Sequence, residues 1–231
     1  MTTEVDRKGV ILRRFRKNNG VRAVCINAKG DVVLMSTFHF QRVFLLKDQT
    51  FEVLLNLQDW RPRGICFWED GDLFVSMRKK DLSESKVVRY REGEANKEYQ
   101  FDERGINLYS LFTKYLLYLC QNLNGDICVE DTALNAVVVV NVEGMLKFVY
   151  RGNPPLPNGQ FRPRDIATDI NGLIMTNDLY SHSVHILDCD GKFIRLIENP
   201  TGDGGLRIDS DNNLLLGEYV TGEIHIIKYW E

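Results

Sequence analysis

Two sets of side chains in this sequence carry the residue types for chemistry. The first is acidic. Glu130–Asp131, Asn177–Asp178 and Glu218 each close a short apolar run, "DICV", "LIMT" and "LLLG". Carboxylate and amide oxygens recurring in this way are the donors a hard cation such as Ca2+ takes; short acids in such places also bond turn amides. The second set is basic. Arg61–Pro62–Arg63 recurs as Arg162–Pro163–Arg164, with Arg22, Arg78, Lys79 and Lys80 as further cations. Phe38, Phe40, Trp60, Phe161, Tyr180 and Tyr219 are interleaved with them, as are His39 and His182. Guanidinium groups beside exposed rings suit phosphate-and-base recognition, and they equally suit a protein-binding hot spot. Asp59, Asp81, Glu84 and Asp165 dilute the patch, as they would on a solvated rim.

Composition narrows what these sets can serve. The chain has 231 residues, 44% hydrophobic and 26% charged, so it can bury a core and is not a disordered segment. Its net charge of −3 gives no global attraction to nucleic acid or anionic lipid. Neither DNA nor a membrane is expected as partner, and no apolar run approaches the roughly 20 residues of a membrane span. Glu4, Asp6, Arg7 and Lys8 precede any apolar stretch, against a secretory signal. Five cysteines without a CxxC spacing fit a reducing, cytoplasmic setting. No Gly-x-Ser-x-Gly element, Glu/His pair or phosphate-binding glycine loop is present, so no catalytic residue is assigned and no cofactor is expected.

The elements that must position these residues come from a repeat. "CINAKGDVVLM" from Cys25 returns as "CFWEDGDLFVS" from Cys66, "CQNLNGDICVE" from Cys120, "ATDINGLIMTN" from Ala167 and "IDSDNNLLLGE" from Ile208. The turn residue falls at Gly30, Gly71, Gly125, Gly172 and Asn213. β-Branched runs follow: "RVFLL" from Arg42, "KVVRY" from Lys86, "AVVVV" from Ala136, "SVHIL" from Ser183 and "EIHII" from Glu223. Such runs separated by Gly, Asn and Asp make strands and hairpins. Units of this length with four strands each predict an all-β fold, a β-propeller of five four-stranded antiparallel blades in one domain, 1–231. "RKGVILRRF" from Arg7 reads like a fourth strand, and the last unit stops after three. The N-terminal strand is therefore expected to complete the last blade and close the ring.

The repeat also sorts the remaining candidates. Cys25, Cys66 and Cys120 share a position with Ala167 and Ile208, which marks packing on a first strand. His185 and His225 share one with Phe44, Val88 and Val138, again packing. No two histidines have ligand spacing on one strand, so no metal is expected. The longest departures from the repeat are Glu92 to Tyr115 and "NPPLPNG" from Asn153, both read as long loops.

In wording and order, "NGDICVED" at Asn124, "AVVVVNVEG" at Ala136, "FRPRDIATD" at Phe161, "HSVHILDCDGKF" at His182 and "EYVTGEIHIIKY" at Glu218 resemble NHL-repeat propellers. They are closest to the divergent NHL-like tail of invertebrate tripartite-motif (TRIM) proteins, a family that usually has six blades. The RING, B-box and coiled-coil parts of that family are absent from this sequence. The resemblance implies a non-catalytic recognition scaffold, the substrate-binding end of a TRIM-type ubiquitin ligase. Its expected partner is a protein docked on Arg22, Arg61, Arg63, Arg78, Lys79, Lys80, Arg162, Arg164, Phe38, Phe40, Trp60, Tyr180 and Tyr219. The alternative is single-stranded RNA on the same face. A Ca2+-dependent propeller hydrolase or lactonase stands third, because the second strands of units one and two offer only Met35–Ser36 and Ser76–Met77 where acids would be needed.

Overall fold

Five successive β-meanders account for the repeat. In the computed structural model the described residues are 2–5, 11–15, 20–27, 29–36, 41–47, 50–68, 70–111, 115–153, 161–198, 204–218 and 220–229. They fall into two compact units, residues 1–97 and 98–231. Among the described residues there is no helix.

The first unit opens with β1 (Thr2–Val5) and β2 (Ile11–Phe15). A four-stranded sheet follows, β3 (Val21–Ile26), β4 (Val32–Ser36), β5 (Arg42–Lys47) and β6 (Thr50–Asn56). The next sheet is β7 (Trp60–Phe67), β8 (Leu73–Lys79), β9 (Ser85–Arg91) and β10 (Glu94–Tyr99), whose last two residues fall in the second unit. Strands β3 and β7 lie against each other. Val33, Met35, Val43, Leu55, Ile65, Val75 and Met77 form the core between the two sheets.

The second unit holds β11 (Leu119–Gln121), β12 (Ile127–Asp131), β13 (Ala136–Val140) and β14 (Leu146–Tyr150). Then come β15 (Pro163–Thr168), β16 (Ile174–Asp178), β17 (Ser183–Leu187) and β18 (Phe193–Glu198). A three-stranded sheet, β19 (Leu206–Ile208), β20 (Leu214–Gly217) and β21 (Ile224–Ile227), ends the chain. First strands again face one another, β11 against β15 and β15 against β19. Val137, Val139, Ile166 and Ile174 pack in one inter-sheet core, and Met175, Val184, Leu206 and Leu216 in the next. Up-and-down sheets whose innermost strands stack on the next sheet's innermost strand are the blades of a β-propeller, and the fold class is all-β of that type.

The shared cysteine position is packing, as expected. Cys25 lies against the core of the first unit and Cys120, Ala167 and Ile208 in or against those of the second; Cys66 is half-buried, and no cysteine forms a disulfide. Between first and second strands one turn recurs. In the fourth meander Asp169 Oδ1 accepts from the amides of Asn171 and Leu173, and the Gly172 amide bonds the Asp169 carbonyl with φ at 79°. Asp209 does the same for Asp211 and Asn213, and here Asn212 carries the positive φ, 61°. The turn residue of the last unit is thus Asn212 and not Asn213, so that unit is 40 residues from its neighbour's turn. Adjacent asparagines made the two registers indistinguishable in sequence.

Two other expectations change. Strand β2 pairs with β1, Thr2 opposite Phe15, in a two-stranded sheet of its own, and the last sheet has β19, β20 and β21 as its members. The N-terminal strand therefore does not complete the last blade. Closing a hairpin over a few residues costs far less chain entropy than pairing across nearly the whole chain. Past β10, the described residues of the loop to β11 make one bridge, Phe101 to Asn107, and bury Leu108, Tyr109 and Leu117. The amide and hydroxyl of Ser110 both donate to Asp131 at 2.6 Å, which fixes this loop to the end of β12.

Candidate functional site

The acidic set gathers at the ends of β12 and β16, inside the second unit. Valines and isoleucines of these strands pack between sheets and carry the terminal Glu130–Asp131 and Asn177–Asp178 into the interior, where all four side chains are fully buried. Three of them are engaged by the protein itself. Asp131 accepts from Ser110 and from the Ala133 amide. Asn177 Oδ1 accepts from the Asp165 amide at 2.7 Å, and its Nδ2 donates to the Gly204 carbonyl. Asp178 accepts from the amides of Arg162 and Tyr180 and from the Ser181 hydroxyl. Burial disfavours its charge, but these bonds and the nearby His185 outweigh it and hold the carboxyl at about 2. The His185 Nε2 stands 3.6 Å from Asp178, an electrostatic contact beyond hydrogen-bond reach, while its Nδ1 is 2.8 Å from the Tyr150 hydroxyl. The packing role expected for His185 is thus joined to a polar network.

Glu130 differs. Its Oε2 is buried without a hydrogen-bond partner among the described residues. Burial pushes the carboxyl well above the usual range; the Thr132 bond opposes this, and the charges of Asp131 and Asp165 add to the rise. The Thr132 hydroxyl lies 2.6 Å from Glu130 Oε1 and 2.9 Å from the Pro163 carbonyl. One hydroxyl has one proton, and a carbonyl can only accept. Both contacts are made when Thr132 donates to Pro163 and a protonated Glu130 donates to Thr132. Burial and the neighbouring acids Asp131 and Asp165 favour the protonated form of Glu130.

Around it stand groups that sequence reasoning did not connect with the acids. Asp165 accepts from the Ile166 and Leu206 amides and from Arg207 at 2.9 and 3.0 Å. Tyr118 is half-buried, and burial raises its hydroxyl pKa, with Asp165 and Glu130 adding and the exposed Arg164 and Arg207 opposing. Tyr118 sits one residue before β11, at the repeat position of Asp165; that equivalence was the available signal.

The basic set divides. Arg22, Arg61, Arg63 and Arg78 come together in the first unit. Lys79 pairs with Glu84 at 2.6 Å and Lys80 with Asp59 at 3.3 Å, and Trp60 is covered by the Lys86 ammonium at 4.2 Å. Arg162 lies over the Tyr115 ring at 5.9 Å in the second unit, where Arg164 and Tyr180 are exposed. Phe38, His39, Phe40 and Tyr219 lie outside the described residues. One further grouping was missed. Glu218, Glu223 and His225 bring ligand atoms within 4.8 Å of one another across the β20–β21 hairpin and could hold a metal ion. The sequence reading sought histidines on one strand, whereas here a turn assembles the group.

No known protein family matched the sequence, and no curated protein matched it. Solved structures did. The chain is similar to virginiamycin B lyase from Staphylococcus aureus, at 17% identity over 92% of this chain and 71% of that one, with a TM-score of 0.63. It is similar to a gluconolactonase from Xanthomonas campestris, at 14% identity over 90% and 72%, TM-score 0.62. It is also similar to regucalcin from Agrobacterium tumefaciens, described as a calcium-binding protein, at 13% identity over 87% and 70%, TM-score 0.61. At these identities the likeness is one of fold. It corrects two expectations. The recognition scaffold of a TRIM-type ligase, with its RNA alternative, gives way, because the propellers this chain resembles include a lyase and a gluconolactonase. The assignment as a non-enzyme falls with it. The quoted phrases are what any four-stranded meander requires, so they report the fold and not the site. The β-propeller fold itself stands.

Proposed function

We propose that the protein is a propeller hydrolase that opens a lactone or ester of a small polar acid, with Glu130 as proton donor. The observation that carries this is the Thr132 geometry, in which both short contacts are made when Glu130 is protonated. A carboxyl whose pKa is raised by burial is suited to general acid catalysis. Exposed Arg164 and Arg207 beside Tyr118 offer cations to a developing oxyanion and to the carboxylate product. In the step, water adds to the carbonyl carbon and the acyl C–O bond breaks. Glu130 gives its proton to the leaving oxygen, and the proton shed by the water restores it. One water is consumed and one carboxylic acid is formed.

A calcium ion, the ligand in the regucalcin description, takes six to eight oxygens. Among the described residues of this cluster, Asn177 Oδ1 and the Asp165 oxygens are engaged by amides and Arg207, which leaves Glu130 Oε2. The residues present do not fit that ion, and the reaction is written without it.

The test is acid release at fixed pH from a panel of aldonolactones and simple γ- and δ-lactones. The expected result is a saturable rate above background that falls about 100-fold or more in Glu130→Gln. A wild-type rate equal to background across the panel, or an unchanged rate in the variant, overturns the reading.

A further inference from the structure

The arginine cluster of the first unit lies outside the Glu130 chemistry. In the pairing of β7 with β8, Arg61 stands directly opposite Arg78. Like charges facing each other on neighbouring strands repel. Arg63 falls where the register shifts between Pro62 and Gly64, a bulge that turns its side chain out of the ladder. Arg22 occupies the same kind of shift, between Val21 and Ala23 on β3. The repeat thus places two bulge arginines beside a cross-strand arginine pair.

Burial makes this costly. Arg78 is fully buried and Arg63 is 5% exposed. The Arg63 Nε is buried with no hydrogen-bond partner among the described residues. Burial, then the charges of Arg78, Arg22 and Arg61, lower its pKa to about 10. Arg61 and Arg78 have further contacts of their own, so Arg63 is the group left open. A buried cation among cations is destabilising unless an anion joins it.

The second copy of the motif differs across the sheet, and its arginines are half-buried or exposed. On β15 the residue between the two arginines, Pro163, stands opposite Asp178, which accepts the Arg162 amide. On β7 the corresponding Pro62 stands opposite Met77. The first unit has the cations of the motif without that acid.

We propose that Arg22, Arg61, Arg63 and Arg78 form a binding site for a multiply charged oxyanion of the phosphate class. A tetrahedral dianion presents oxygens to several guanidinium groups at once and offsets more than one charge. A monocarboxylate brings one charge and one planar pair of oxygens.

The experiment is calorimetric titration of the full chain with inorganic phosphate in phosphate-free buffer. Acetate is the singly charged comparator, and sodium chloride matches ionic strength. Saturable phosphate binding is expected, with no saturation by acetate. Phosphate at 100 times its Kd should raise Tm by about 5 °C. Arg63→Met should weaken phosphate binding at least tenfold while leaving the anion-free Tm equal or higher, since it removes a buried cation. Should that variant not fold, the half-exposed Arg22→Gln provides the same reading with a several-fold loss. Glu130→Gln should bind phosphate like wild type, which separates this site from the hydrolase reading. Equal effects of phosphate and chloride at matched ionic strength, or wild-type binding by a folded arginine variant, overturn the proposal.

Discussion

Glu130 and Asp178 sit at the ends of successive second strands of the same unit, and neither is exposed to solvent. Their carboxyls nonetheless move in opposite directions, Glu130 well above the usual range and Asp178 to about 2. Burial acts on both in the same sense. The difference is what opposes burial. Asp178 receives two amides and a hydroxyl and has His185 nearby, whereas the Thr132 and Tyr118 bonds to Glu130 do not offset its burial and the charges of Asp131 and Asp165. A buried carboxylate with enough donors is a fixture of the fold; one without them keeps its proton and can move it.

The largest expected effect comes from removing the satisfied member. Asp178→Ala leaves the Arg162 and Tyr180 amides and the Ser181 hydroxyl without their acceptor, and should cost about 3 kcal/mol in chemical denaturation at pH 7. A loss below about 1 kcal/mol would mean that its donors find other acceptors, and the contrast with Glu130 would fail. Acid should act in the same direction. Because the Asp178 carboxyl is lowered in the fold, its contribution is present above about pH 4 and lost as pH falls toward 2, about 2 kcal/mol in all. Denaturation midpoints between pH 5 and 2 should show this slope in wild type and lack it in Asp178→Ala.

Glu130 should respond with the opposite sign. Its raised pKa means that folding favours the protonated form, so ionisation costs stability as pH rises above about 4.5. Glu130→Gln keeps the shape and removes the charge. The variant is expected to be more stable than wild type by about 1 kcal/mol at pH 8 and equal to it at pH 4, read from denaturation at the two pH values. A variant less stable at both would show that Glu130 is held as an anion.

Much of this architecture was legible in the sequence. The "GDICVED" and "GLIMTND" phrases gave strands, turns and acids that end second strands, because short apolar runs bounded by turn residues are local signals of strands buried on both faces. The pairing of β2 with β1 was not legible, since "GVILRRF" is an adequate strand for either edge. The state of Glu130 was hidden for a different reason. It depends on a hydroxyl two residues on and a carbonyl 33 residues on, and neither is marked by residue type. The arginine motif was visible, yet its two copies looked alike. The residue across the sheet, Met77 or Asp178, separates them.

The smallest expected effect isolates burial from donor number. Glu218 stands forty positions after Asp178, and His225 forty after His185, so the last sheet repeats the pair. There the His225 side chain is 40% exposed, the two groups are 3.7 Å apart, and Glu218 accepts from the Thr221 hydroxyl. The Glu218 side chain keeps 24% of its surface in water, so Glu218→Gln should change stability by no more than about 0.5 kcal/mol at pH 7. The same denaturation series checks it. A loss approaching that of Asp178→Ala would mean that strand-end acids stabilise each meander whatever their exposure. A small change assigns the stabilisation to the dry, fully bonded setting of Asp178, and makes the lack of donors around Glu130 the feature that distinguishes a chemical group from a structural one.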